Sequence, residues 1–289
     1  MIDNSTSEIV SLASFEKNGK RKWLRWLLSP PVIILALLIL GAIFADAIAP
    51  YDPVTPIPAE KLQPPSLKHW FGTDTYGMDI FSRILYATRT DLSVAIASVV
   101  LGVMVGMPLG ALAGFLRGPI DEILMRLTEI MQAFPEILFA MAVFAALGNN
   151  MVNLVFILAF LNVPVYLKMV RSVTLPLRES DFVLAARCAG HSDLSLVFKH
   201  IIPNVLVPVF SQFSLSCAYA VGMIAGLSFI GLGVRVPAPE WGSMISMGAN
   251  YVVFGKWWPS LFPGLATFLA AFSLNQLGQE LRKSILLEK

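Results

Sequence analysis

The sequence predicts an all-α protein that crosses a membrane several times, and three observations predict it. Hydrophobic residues make up 56% of the chain against 14% charged, with a mean hydropathy of +0.71, which leaves too few charges to cover a soluble domain of 289 residues. The apolar residues gather into six runs near the ~20 residues a helix needs to cross a bilayer. Lys and Arg crowd into alternate connections between those runs rather than spreading evenly.

In chain order, 1–26 reads as a polar N-terminal tail and 31–49 as the first span. That run is longer than the core of a secretory signal, so it is expected to remain in place as a helix. Residues 27–91 thus combine the first span with an external loop, whose Pro50, Pro53, Pro56, Pro58, Pro64 and Pro65 precede Gly72 and Gly77. Ile80, Ile84 and Leu85 then recur at helical spacing behind Asp79, which predicts a short amphipathic helix at the outer face. Further spans are expected at 92–116, 124–147, 151–171, 205–234 and 258–279, within a core of 92–283 and ahead of a C-terminal tail at 284–289.

Orientation follows from the cations. The N-tail, the 117–126 connection, the 168–199 region and the C-tail hold 15 of the 21 Lys and Arg residues. Basic residues are retained in cytoplasmic loops, so both termini and the 173–204 loop are expected in the cytoplasm. The net charge of +2 implies no polyanion-binding field, and nucleic acid is not expected as a partner. Cys188 and Cys217 are the only cysteines and cannot form a disulfide framework, while His69, His191 and His200 are scattered without metal-ligand spacing.

The 173–204 loop carries the strongest functional signal. From Asp181 through Leu184, Ala185, Ala186 and Arg187 it reads as one short helix, and Gly190 permits a sharp backbone turn. Ser192 then suits the N-cap of a second helix with Asp193 in its first turn, and Pro203 marks that helix's end or a kink. Ala185 with Ala189, and Ala186 with Gly190, stand four apart and form a flank of small side chains over which a partner's groove can close.

The Ala185-Ala186, Gly190 and Ile202-Pro203 pattern resembles the cytoplasmic coupling loop of the membrane subunits of ATP-driven (ABC) importers. Three further stretches occur in the order seen in one branch of them: Phe71-Gly-Thr-Asp74, Leu227-Ser-Phe-Ile-Gly231 through Glu240-Trp241-Gly242, and Trp258-Pro-Ser-Leu-Phe-Pro263-Gly264. That branch is the permease subunits of oligopeptide, dipeptide and nickel importers. The resemblance spans nearly all of 50–282 and implies a six-span, type I (MetI-like) permease fold. It implies pairing with a homologous permease, two cytoplasmic ATPase subunits that bind ATP and Mg, and an extracytoplasmic solute-binding protein, in the bacterial inner membrane. This chain itself is expected to hold no cofactor or metal. Leu184 stands where such loops often carry glutamate, leaving Arg187 or Asp181 to supply a polar contact, and Met78 replaces a usual basic residue. The resemblance also implies that Asp74, Asp79, Glu240 and Trp241 face the binding protein.

Polar residues within apolar runs are costly and so are candidates for a transport path. Glu136, just past Pro135, is the clearest, with Gln212, Ser216, Tyr219 and Met223 on one face of the fifth span. The chain has no Gly-x-x-x-x-Gly-Lys-Ser/Thr loop to cradle ATP, so it is expected to be no enzyme by itself. The expected cargo is di- or oligopeptides, with nickel or a metal chelate as the alternative. A secondary carrier is the rival mechanism, disfavoured by the lack of visible internal repeats.

Overall fold

The computed structural model describes residues 29–234 and 236–287, with side chains described through 283. The predicted N-terminal tail, Arg235 and Lys289 lie outside them. Among the described residues every regular element is helical.

The first apolar run forms α1 (Pro30–Ile43), breaks at Phe44 and resumes as the single turn α2 (Ala45–Ile48). After the external loop comes α3 (Ile80–Leu116), 37 residues long. The amphipathic stretch expected as a separate helix is therefore the first part of α3. No Gly or Pro interrupts it before Gly102, and Asp79 caps it by accepting the Ser82 N–H at 2.8 Å.

The expected span 124–147 is in fact two helices, α4 (Gly118–Gln132) and α5 (Glu136–Leu147), bent by 82° at the intervening residues. Pro135 explains the break, because it has no N–H to continue the ladder and holds its predecessor out of the α region. Next, α6 (Met151–Leu177) runs past the expected end at 171. The polar loop forms α7 (Asp181–Cys188) and the single turn α8 (Asp193–Leu196), followed by a π turn over Val197–Ile201 that leads into α9 (Ile202–Phe229). Gly231, at φ +89°, ends that run several residues before the expected 234.

The residues between the expected fifth and sixth spans contain a further helix, α10 (Trp241–Val252), before α11 (Trp258–Leu287). The expected tail at 284–289 thus begins as helix. The helices α3, α6, α11 and the continuous 193–229 run are each long and apolar enough to cross a membrane, and the α4–α5 pair qualifies as one bent span.

The core is set by α3 against α6. Gly102, Gly106, Gly110 and Gly114 recur every four residues on α3 and let the two backbones meet. A Cβ on Gly106 would lie 2.7 Å from the Val163 carbonyl oxygen, and one on Gly110 2.5 Å from that of Leu167. On the other side α9 packs on α11, where the Ser211 and Ser214 hydroxyls donate to the backbone oxygens of Gly278 (2.9 Å) and Leu274 (2.6 Å).

Candidate coupling loop and transport path

The polar loop has the hinge its sequence predicts. Gly190 sits at φ +85°, a conformation that a side chain resists, and the space around it is open. Ser192 caps the second helix through the Ser195 N–H, and Arg187 reaches across the hinge to Asp193 at 3.7 Å. The same guanidinium lies 5.5 Å from the centre of the Phe115 ring at the end of α3. Arg187 therefore ties both short helices to the bundle.

Only Val183, Leu196, Val197 and Ile201 of this segment are buried, and they anchor it. Asp181, Ala185, Ser192 and Asp193 are exposed, whereas Ala186 is partly buried against the core. Leu184 is 43% exposed, Leu194 59% and Phe198 52%, so an apolar surface faces outward beside the small residues. Where the sequence suggests that Pro203 ends or kinks the second helix, the chain stays helical. A π turn lies just before Pro203, which has no N–H to give, and the Asn204 side chain donates to the His200 backbone oxygen at 2.6 Å.

At the opposite end, the three separated sequence stretches converge. Phe71 stacks on Phe262 with ring centres 4.2 Å apart, and the Trp258 indole N–H donates to the Thr73 oxygen at 3.3 Å. A side chain at Gly72 would sit 2.7 Å from the Trp258 ring, so the glycine permits this seating. Arg83 links the other parts, donating to the oxygens of Pro53 (2.6 Å) and Pro237 (3.1 Å) and pairing with Asp74 at 3.4 Å.

The four residues expected to face a binding protein are all inside this cap. Asp74 closes its own turn by accepting the N–H groups of Tyr76 (2.8 Å) and Met78 (2.9 Å). Asp79 caps α3 and meets His69 Nδ1 at 2.9 Å, while the second ring nitrogen of that buried histidine meets Glu60 at 2.8 Å. Glu240 caps α10 through the N–H groups of Gly242 and Ser243, and Trp241 is 1% exposed. The three carboxylates share a physical reason, since each has oxygens that accept backbone N–H groups of its own turn or helix start, whereas Trp241 is buried by packing and its indole N–H has no hydrogen-bond partner among the described residues. Burial pushes the Asp74 carboxyl above its usual range, opposed chiefly by Arg83, and burial likewise raises Glu240. At the surface Lys68 and Glu60 pair, and this, followed by the His69 bond, lowers the Glu60 carboxyl.

Of the path candidates, the structure brings two together. The Tyr219 hydroxyl donates to the Glu136 carboxylate, joining α9 to the start of α5. Tyr219 is 52% exposed, but its three companions are less open: Ser216 is buried, Gln212 and Met223 are half-buried, and the Gln212 amide donates to Ser216 at 3.5 Å. The reading of the sequence missed Lys168, whose ammonium donates to the Gln132 side-chain oxygen, and Arg171, bound through two nitrogens to Asp121. The sequence reading counted both only among the basic residues of the 168–199 region, whereas both lie within α6.

Comparison with known proteins agrees with this arrangement. A family model described as binding-protein-dependent transport system inner membrane component matches residues 106–285. The chain is 39% identical over 254 residues to the dipeptide transport system permease protein DppC of Alkalihalophilus pseudofirmus, covering 88% of this chain and 83% of that protein. It is 37% identical over 288 residues to the probable D,D-dipeptide transport system permease protein DdpC of Escherichia coli, covering 98% and 96%. To the glutathione transport system permease protein GsiD of Pectobacterium atrosepticum it is 38% identical over 254 residues, covering 88% and 84%. An all-helical bundle with a hinged polar loop at one end, matched along most of its length to such permeases, belongs to the family of inner membrane components of binding-protein-dependent transport systems.

Proposed function

We propose that this chain is one of two permease subunits in an ATP-driven importer of short peptides. The observation that carries the reading is the 181–200 segment, in which two short helices set at Gly190 present exposed Leu184, Leu194 and Phe198 to a partner. Its buried half is anchored in the bundle, so a force applied to the exposed half reaches α3 through Arg187 and α9 through the π turn. The relatives named for dipeptide, D,D-dipeptide and glutathione transport support peptides as the cargo.

In this reading six spans cross the bacterial inner membrane, with α1 as the first and the α4–α5 pair as the third, and both termini and the 181–200 segment lie in the cytoplasm. Two ATPase subunits, which bind ATP and Mg, engage that segment, and the homologous permease completes the path. A solute-binding protein delivers cargo to the outer cap. Closing of the ATPases switches the pair of permeases between inward- and outward-facing states.

The test is purification of the tagged chain in mild detergent, identification of its partners by mass spectrometry, and reconstitution of the recovered complex in liposomes. ATP-dependent uptake of a dipeptide supports the reading. Recovery of the chain alone, or uptake driven by an ion gradient without ATP, overturns it in favour of a secondary carrier, and uptake of a nickel chelate but no peptide overturns the cargo.

A further inference from the structure

At the α4–α5 bend a carboxylate lines one cavity and an ammonium bonds a side chain that lines it, and neither meets an opposite charge among the described residues. Glu136 opens α5 and lines a cavity of about 130 Å³ together with Gln132, Phe134, Phe160 and Pro164. Its carboxylate accepts the Tyr219 hydroxyl. At the Gln132 edge of the same cavity, the Lys168 ammonium donates to the Gln132 side-chain oxygen. Among the described residues no opposite charge lies within 4.0 Å of either group. Each charge is held in place by a neutral partner, and the two are kept from pairing with each other.

An unpaired charge within an apolar span is expensive, and intramembrane carboxylates and ammonium groups normally pair. Holding them apart leaves each free for a ligand that carries the complementary pair. A molecule with an ammonium at one end and a carboxylate at the other does so. A cation alone would satisfy Glu136 and be repelled by Lys168, and an anion the reverse. At ~30 Å³ per water the cavity has room for about four waters. That suits a peptide's charged main-chain end.

We infer that Glu136 and Lys168 form a specificity site for zwitterionic short peptides, Glu136 receiving the terminal ammonium and Lys168 the terminal carboxylate. The inference rests on the proposed importer function and adds to it the part of the cargo that is recognised. Tyr219 and Gln132 are positioning residues that hold the two charges until cargo replaces their bonds.

The test uses the complete transporter in liposomes, with its binding protein at millimolar cargo so that delivery does not limit. Uptake of Ala-Ala is compared with that of N-acetyl-Ala-Ala, which lacks the ammonium, and of Ala-Ala amide, which lacks the carboxylate. Glu136→Gln is expected to lower Ala-Ala uptake at least tenfold while leaving the acetylated cargo within twofold of its wild-type rate. Lys168→Gln is expected to do the same for Ala-Ala and to leave the amide within twofold. Glu136→Lys and Lys168→Glu should each abolish Ala-Ala uptake, and their combination should restore it in part, because a zwitterion can enter either way round. Equal losses for all three cargoes, unchanged Ala-Ala uptake in both neutral variants, or no recovery in the double exchange would overturn the site while the importer reading stands. Wild-type complex that takes up none of the three with ATP refutes the peptide-import reading itself, and the site with it.

Discussion

Asp91 and Trp241 are 150 residues apart in the chain, and the carboxylate of the first accepts the backbone N–H of the second at 3.0 Å. Asp91 is 1% exposed, and its other oxygen has no hydrogen-bond partner among the described residues. The bond thus docks the start of α10 onto α3 through a carboxylate buried near that of Glu240. Asn at 91 keeps an acceptor and removes a buried charge, so Asp91→Asn should leave the thermal midpoint in detergent unchanged or raised. Asp91→Leu strands the Trp241 N–H and should cost about 1–3 kcal/mol. Equal losses for both variants would contradict this account.

Glu240 supplies a pH dependence of known sign. Burial raises its folded carboxyl above the ordinary 4.5, so the protonated form is favoured on folding. Its contribution is complete below about 4.5 and is lost as pH rises through the folded value. The stability of wild type relative to Glu240→Gln should therefore be greatest under acid conditions and shrink as pH rises above that window. Midpoints measured as a function of pH for both proteins check it, and a difference that grows with pH refutes it.

The glycine seam makes a steric prediction. A Cβ at Gly106 would lie 2.8 Å from that of Tyr166 and 2.7 Å from a carbonyl oxygen, and neither neighbour is the end of a flexible side chain. Gly106→Val and Gly110→Val should each destabilise by roughly 1–3 kcal/mol or more. Gly264→Ala, which meets nothing within 4 Å, is the control and should shift the midpoint little.

Gly190 differs because space is not what constrains it. With φ at +85° and nothing within 4 Å of a built Cβ, substitution costs backbone strain rather than a clash, about 1–2 kcal/mol for a β-branched residue. Gly190→Val should leave membrane insertion intact and reduce recovery of ATPase subunits on the tagged chain, whereas Gly190→Asn, which tolerates that region, should retain more. Undiminished recovery with valine would argue against the hinge as the coupling element.

Most of the bundle was legible as apolar runs, and the hinge was legible in detail because Gly190 and Ser192 act through local backbone geometry. The bend after α4 was harder, since apolar residues continue on both sides of Pro135 and composition alone joins them. Asp74, Asp79 and Glu240 were expected to face a binding protein because the resemblance implies it for the loops that hold them. Their burial depends on partners far along the chain, such as Arg83 beside both Asp74 and the Pro237 oxygen. Helix α10 was hidden for a related reason: its Gly, Ser, Met and Asn residues resemble a loop until Trp241 and Gly242 are packed against neighbouring elements. The recurrence of glycine at every fourth residue of α3 went unread, because only the opposing backbone of α6 gives it meaning.

Because the glycines of α3 bring its backbone against that of α6, much of that contact has no rotamers to exchange and little that can give way. A seam of that kind favours the two helices moving together as a single strut. Changes of shape in the subunit are then expected elsewhere, at the proline break between Gln132 and Glu136 and at the wider π turn over Val197–Ile201.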